Sequence, residues 1–339
     1  MKTLCTMRGV SGFEYMLNNA IADMFRPFVD EVSITNSGSV VAVKRAENPT
    51  AKIMVEAHCD EIGLMVKTID KHGFLTFVNI GGIDARILPG AEVTVHGKRD
   101  VMGVIGAKPP HLQTVGEAEK SIEIKDMAID VGMGFDAVSE IISVGDSISL
   151  NREPTELLNN KFSAKTVDDR GGVTVLLETA KRLKDTKLSC DVYFVAAVQE
   201  EVGLRGARTA AYTVNPDMAI AIDVCHGITP DNSQDAFETG TGTVISLGPN
   251  IHPKLGERLT AIAKNKEIKH SIDVDGGDTG TDAWEIQVSR SGVPTALLSI
   301  PLKYMHTSVE TLSLDDLEAT ASLITEFLKD TKEADWLCL

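Results

Sequence analysis

The stretch "IMVEAHCDEIGLMV", residues 53–66, begins as an apolar run and then turns ionisable at His58, Asp60 and Glu61. Residues 53–57 have the length and texture of a strand buried on both faces, as found inside an α/β sheet. Imidazole and carboxylate groups at the end of such a strand are costly to desolvate unless something binds them. A single strand end of this kind is equally well read as chain emerging into solvent. Its neighbours in the sequence decide between the two.

After residue 160 helical and strand patterns alternate. "GGVTVLLETAKRLKD", "KLGERLTAIAKNK" and "LDDLEATASLITEFLKD" read as helices, the last opened by Ser313 or Asp315. "CDVYFVAAV", "MAIAI" and "TALLSI" read as fully apolar strands, which implies a sheet covered on both faces. The strand at 53–57 shares that character and belongs to the same sheet. Upstream, Leu17, Ile21, Met24, Phe25 and Phe28 recur at helical spacing, and "EVSIT" and "SVVAVKR" are short strands. Residues 63–160 differ: "GLMVKTID", "FLTFVNIG", "AEVTVHG", "MGVIGAKP" and "DSISLNR" are short, Val/Ile-rich and punctuated by Gly, Pro and Asp. That is the pattern of a small β-barrel or sandwich. The fold expected is α/β, a mixed sheet sandwiched by helices over residues 1–62 and 161–339, interrupted by a β-rich insert at 63–160.

In open α/β sheets ligands bind beyond the carboxyl ends of the strands. "IMVEA" ends at His58, with Asp60 two residues on; "VYFVAAV" is followed by Gln199, Glu200 and Glu201. "MAIAI" runs into Asp223, "TALLSI" is followed by His306, and "TVDDRGG" sets Asp168 and Asp169 just before a helix. Two imidazoles and several carboxylates, with no thiolate set, suit zinc, cobalt or manganese. The donors are too many for one tetrahedral ion and suit two ions sharing a bridging carboxylate, which can clamp and acidify a water. In the Glu200–Glu201 pair one residue can ligate while the other stays free as general base. Asp60, on the same side of an extended chain as His58, can accept its second ring N–H.

Bulk composition narrows the partners. The chain has 339 residues, with 33 Lys plus Arg against 49 Asp plus Glu, a net charge of −16. Its length suggests two domains. Its charge argues against nucleic acid and anionic membrane, both of the same sign. Five cysteines form no C-x-x-C pair, the first residues lack the apolar stretch of a signal peptide, and no segment approaches a membrane span. A cytoplasmic location is expected.

Taken together, "GVSGFE", "EAHCDEIGLMV", "NIGGIDARILPG", "GVIGAKPPHL", "TVDDRGG", "VQEEVGLRGA" and "GTDAWEIQVSRSGVPTALLSIPLKYMHTSVE" resemble the cytoplasmic two-metal aminopeptidases that include glutamyl aminopeptidase, the deblocking aminopeptidases and the tetrahedral-shell (TET) aminopeptidases. The resemblance runs almost end to end. It implies a zinc-peptidase-like α/β domain interrupted by a PDZ-like β-domain, and assembly through that insert from dimer to dodecamer. It also implies two divalent ions per subunit, zinc or cobalt ahead of manganese. His58 and Asp223 would ligate one, Glu201 and His306 the other, with Asp168 bridging, Glu200 as base and Asp60 orienting. The substrates implied are peptides. Cys59 stands where the family usually has Met, and the segment "VCHGITPDNSQDAFETGTGTVISLG" after Asp223 is less typical, adding Cys225 and His226 near a ligand.

Three alternatives are weighed beside it. An endoglucanase-type glycosidase would pair carboxylates such as Glu200 and Asp223, but 5% aromatic residues is a thin supply of sugar-stacking surfaces. A non-catalytic scaffold would leave the strand-end acids and imidazoles idle. A dipeptidase or deacylase would use the same metals with a different pocket. His72, His96, His111, His252 and His270 are expected at the surface, Gly81–Gly82 in a turn, and "GGDTGTDA" along the substrate pocket.

Overall fold

Residues 52–58 form a strand whose side chains divide by period two between opposite cores: Ile53, Val55 and Ala57 pack into one apolar cluster and Met54 into another. The computed structural model describes residues 1–112, 116 and 120–331. In chain order the strands begin with β1 (Glu31–Ile34), β2 (Val40–Lys44) and β3 (Lys52–His58). There follow β4 (Gly63–Ile69), β5 (Leu75–Ile80), β6 (Glu92–His96), β7 (Asp100–Ile105), β8 (Ile129–Asp130) and β9 (Ser147–Leu150). The remainder are β10 (Thr155–Leu157), β11 (Lys161–Ala164), β12 (Asp191–Ala197), β13 (Met218–His226), β14 (Thr243–Leu247), β15 (His270–Val274), β16 (Thr295–Leu302) and β17 (Glu310–Ser313). The helices are α1 (Lys2–Thr6), α2 (Tyr15–Phe25), α3 (Phe135–Ser139), α4 (Val167–Leu183), α5 (Arg205–Val214), α6 (Pro253–Asn265), α7 (Ala283–Ile286) and α8 (Leu314–Asp330).

The large sheet is mixed, in the order β1-β2-β12-β3-β13-β16-β14-β15. Its central four strands, β12, β3, β13 and β16, are mutually parallel, so their carboxyl ends share one edge. One face buries Leu17 of α2, Leu176 of α4, Leu259 of α6 and Phe327 of α8. The other receives Ala207, Ala210 and Ala211 of α5 and Ile286 of α7. Between β3 and β11 the chain builds a closed barrel, β4-β5-β8-β7-β6-β9, around its own core of Leu64, Val66, Leu75, Phe77, Val93, Val95 and Ile148. The helix-covered mixed sheet and the barrel are the fold class that the sequence implied. No helix of the described residues is long and apolar enough to cross a membrane.

Two local details differ from the sequence reading, and a third agrees with it. β13 does not stop before Asp223 but continues to His226, because it stays paired with β16 as far as Leu302. Asp168 and Asp169 do stand just before the regular part of α4: both have non-helical backbone angles, and Asp169 Oδ1 accepts the Gly172 N–H at 2.9 Å as a cap. His96, expected at the surface, has a side chain only 8% exposed. Its Nδ1 lies 2.9 Å from Asp100 and its Nε2 2.9 Å from the Ser149 hydroxyl across the barrel strands. Of the charged stretch 116–126, residues 117–119 lie outside the described residues, and Ile124–Asp126 form one 3₁₀ turn.

Glu61 answers part of the question raised by residues 53–66. It is buried, and one carboxylate oxygen pairs with Lys165 while the other takes Arg170 Nη2 at 3.1 Å. Arg170 is itself fully buried and also donates to the carbonyls of Leu4, Met7 and Cys59, tying the N-terminal segment to α4. Glu61 is therefore structural. Glu61→Ala leaves two interior cations without their carboxylate and is expected to cost about 3–5 kcal/mol, read by chemical denaturation. A loss below about 1 kcal/mol would show that solvent reaches this pocket on mutation.

Candidate metal centre

The shared edge of the central strands collects the ionisable residues. His58 closes β3 opposite Ala197 of β12, whose following loop carries Glu200 and Glu201. Asp223 lies on β13 opposite Ser299 of β16, and His306 follows that strand. Asp168 enters from the non-helical start of α4. Side-chain atoms of His58, Asp168 and Asp223 lie within 4.8 Å of one another, as do those of Asp168, Glu201 and His306. Asp168 is common to both groups and turns one oxygen to each: Oδ1 is 3.1 Å from His58 Nε2, Oδ2 is 3.4 Å from His306 Nε2. Glu201 Oε1 is 3.3 Å from the same His306 nitrogen.

The remaining two residues singled out in the sequence stand outside these groups. Glu200 lines the cleft with Oε2 4.0 Å from His58 Nε2. Asp60 is fully buried behind the site; its oxygen is 3.6 Å from His58 Nδ1, longer than a hydrogen bond. It instead accepts the backbone N–H groups of Glu200 (3.0 Å) and Glu201 (3.2 Å), fixing the loop that presents both carboxylates. Cys59 turns its thiol to Asn18 Oδ1 at 3.5 Å and packs in the core, belonging to neither group. Cys225 and His226 line the cleft.

The barrel also contributes. The Gly82 carbonyl, in the loop after β5, accepts a hydrogen bond from His306 Nδ1 at 2.9 Å. That bond holds a proton on Nδ1, so that a cation bound beside Asp168 and Glu201 would take the place of the proton on Nε2. A Cβ at position 82 would lie 2.9 Å from the imidazole Nδ1, so glycine permits the approach.

Two buried carboxylates escaped the sequence reading. Glu310 is 1% exposed; Oε2 accepts the Asp168 N–H at 3.0 Å and Oε1 the His306 N–H at 2.9 Å, so it holds the backbone of one residue from each side of the site. Its signal was its place at the end of "HTSVE", where it opens β17. Glu56 is fully buried beside Asp282, with both oxygens lacking hydrogen-bond partners. A carboxylate inside an otherwise apolar strand was the legible sign.

Charge in this cleft is unbalanced. Burial pushes Asp223 up to about 8, with Asp168 and Asp282 adding to it against His58. Burial pushes Glu200 up to about 10, opposed by His58 and reinforced by Asp223, Asp282 and Glu201. His306 rises to about 11 on its hydrogen bonds to Asp168 and Glu201. Protons thus sit where positive charge is demanded. Converging nitrogen and oxygen donors, a carboxylate facing both groups and an oriented imidazole together fit a pair of divalent cations.

The cleft measures about 620 Å³. A family model described as M42 glutamyl aminopeptidase matches residues 38–323. A lysyl aminopeptidase of Pyrococcus furiosus is 36% identical over 344 residues, covering 99% of this chain and 98% of that protein. The structure superimposes on a TET aminopeptidase from the marine sediment archaeon Thaumarchaeota archaeon SCGC AB-539-E09 with a TM-score of 0.94 at 34% identity, covering 100% and 97% of the two chains. It superimposes also on the Pyrococcus horikoshii TET1 peptidase, which can assemble into a tetrahedron or a large octahedral shell, with a TM-score of 0.86 at 34% identity and coverage of 97% and 98%.

Proposed function

Because the chain belongs to the M42 glutamyl aminopeptidase family, and so is a peptide hydrolase, we propose that it removes N-terminal residues from short peptides using two divalent cations and Glu200 as general base. The observation that carries this reading is Asp168, whose two oxygens face two separate sets of donors. His58, Asp168 and Asp223 would hold one cation, and Asp168, Glu201 and His306 the other; zinc or cobalt suit the set, then manganese. Bound there, the pair would supply Lewis acidity and an acidified water.

The chain's own groups do the rest. Glu200 takes a proton from the attacking water and delivers it to the leaving amine. Asp60 keeps Glu200 aimed by holding its amide, and Gly82 and Glu310 keep His306 and Asp168 in register. The glycosidase reading loses support from the cleft wall, which no Phe, Tyr or Trp lines among the described residues. Residues 1–62 with 161–339 serve as the catalytic unit and 63–160 as the unit of self-assembly, with Phe74, Met102, Val104 and Phe135 exposed on the barrel side. The free thiols of Cys5, Cys59, Cys190 and Cys225 support a reducing, cytoplasmic setting.

Removal of metal tests the proposal. Dialysis against a chelator is expected to reduce hydrolysis of aminoacyl anilides to background, with recovery on adding two equivalents of zinc, cobalt or manganese. Hydrolysis that persists in protein shown by elemental analysis to be metal-free would sink it. Release of acyl groups or of sugar instead of free amino acids would move the assignment to the deacylase or glycosidase reading.

A further inference from the structure

The motif "GVSGFE", residues 9–14, lies outside both ligand groups, yet its last residue reaches the loop that carries Glu200 and Glu201. Glu14 is 3% exposed and stands at the start of α2, but its carboxylate does not cap that helix. Oε1 instead accepts the Gly12 N–H at 2.8 Å and, from 185 positions along the chain, the Gln199 N–H at 3.1 Å. Asp60 takes the next two amides of the same loop, those of Glu200 and Glu201. Two buried carboxylates from separate segments thus hold three consecutive N–H groups. Gln199 depends on that hold: its φ of 58° lies in the left-handed region, which a residue other than glycine keeps only where its surroundings enforce it. Beyond it the chain turns sharply, with the Glu200 carbonyl accepting the Gly203 and Leu204 N–H groups, both at 2.9 Å. Burial pushes the Glu14 carboxyl up to about 7, with Asp60 adding to it and the amides opposing, so an ionisable group is kept here against its preference for solvent.

We propose that Glu14 is a positioning residue of the reaction: its grip on the Gln199 N–H sets the direction in which the next residue, Glu200, presents its carboxyl to the attacking water. The inference rests on Glu200 being the general base and names what aims it. The bonds from Asp60 fix the loop from residue 200 onward. Glu14 fixes residue 199, whose backbone sets the plane of the peptide leading into Glu200. A displacement of about 1 Å in a reacting group costs on the order of 10²-fold in rate. The hold therefore bears on turnover and not on metal uptake, since the hydrogen bonds of the Glu14 carboxylate go to no ligand residue. Truncation should leave the fold standing. The same N-terminal segment is tied independently by Glu61, which takes the Gly9 N–H on its carboxylate and the Ser11 N–H on its carbonyl, and by Arg170 on the Leu4 and Met7 carbonyls.

The test compares Glu14→Ala, Glu14→Gln, Glu200→Gln and the double variant Glu14→Ala with Glu200→Gln, all full-length and metal-loaded, on an aminoacyl p-nitroanilide that the parent protein turns over. Glu14→Ala is expected to lower kcat about 10- to 100-fold, with KM and ion content unchanged. Glu14→Gln should restore most of that loss, because its carboxamide oxygen can accept the same two N–H groups. In the Glu200→Gln background, Glu14→Ala should cost less than about twofold further, since no base is left to aim. A loss of equal size in both backgrounds, a loss of bound ion, or a rise in KM alone would make Glu14 a structural tie and overturn the proposal. So would turnover of Glu14→Ala close to the parent value, which leaves Glu200 as base untouched. Turnover of Glu200→Gln close to the parent value removes the base itself, and this inference with it.

Discussion

Glu200→Gln is expected to lower kcat on aminoacyl anilides by about 10²- to 10⁴-fold while the protein still takes up two divalent ions. The carboxamide fills the same space, and the backbone N–H of residue 200 keeps its bond to Asp60, so the loop after β12 stays in place. What is lost is a group able to accept and return a proton. Glu200 lies outside both donor groups, which is why metal content should be spared. In the metal-free chain its carboxyl is pushed up to about 10 by burial, with Asp223, Asp282 and Glu201 contributing and His58 opposing. Cations beside it reverse that balance and favour the ionised, basic form. Turnover close to the parent value would remove Glu200 from the proton-transfer step. Loss of an ion would make it a ligand instead.

The sequence carried the strand ends because each apolar run advertises its own termination, and a parallel sheet puts all those termini on one edge. His58, Asp223 and His306 were legible for that reason, as was the Glu200–Glu201 pair after an apolar strand. Barrel texture was legible from turn residues and alternation, as β7 shows with its strictly alternating exposure from Asp100 to Ile105. What stayed hidden were contacts between distant segments. Glu310 acts on two backbone amides from other parts of the chain, and Gly82 reaches His306 from 224 positions away. Neither partnership leaves a local pattern. His96 was misplaced for the same reason: its burial depends on Ser149 and on Arg8 reaching in from the N-terminal segment, 88 positions away. Glu61 shows the reverse case, an ionisable residue in a suggestive place whose partners Lys165 and Arg170 make it a brace.

Asp168→Asn should be the most damaging conservative change in the molecule, because one side chain serves both donor groups. The substitution keeps the shape and the backbone bond from residue 168 to Glu310. It removes the negative charge between His58 and His306, and it turns one of the two facing oxygens into an amide NH₂ that cannot donate a lone pair. Whichever way the carboxamide flips, one imidazole and its companions face a hydrogen-bond donor. One group therefore loses a ligand outright, and the other keeps a neutral, weaker one. Uptake is expected to fall from two ions to one or fewer, with kcat down on the order of 10³-fold or more. Elemental analysis beside anilide turnover separates this outcome from that of Glu200→Gln, which should lose activity with its ions in place. Thermal unfolding of the metal-free variant should come below that of the metal-free parent: burial alone would raise the Asp168 carboxyl, but the His306 and His58 imidazoles hold it below the usual carboxylate range, and the amide gives up that pairing. If Asp168→Asn still binds two ions and turns over within about tenfold of the parent, the two donor groups are independent and the bridging role fails.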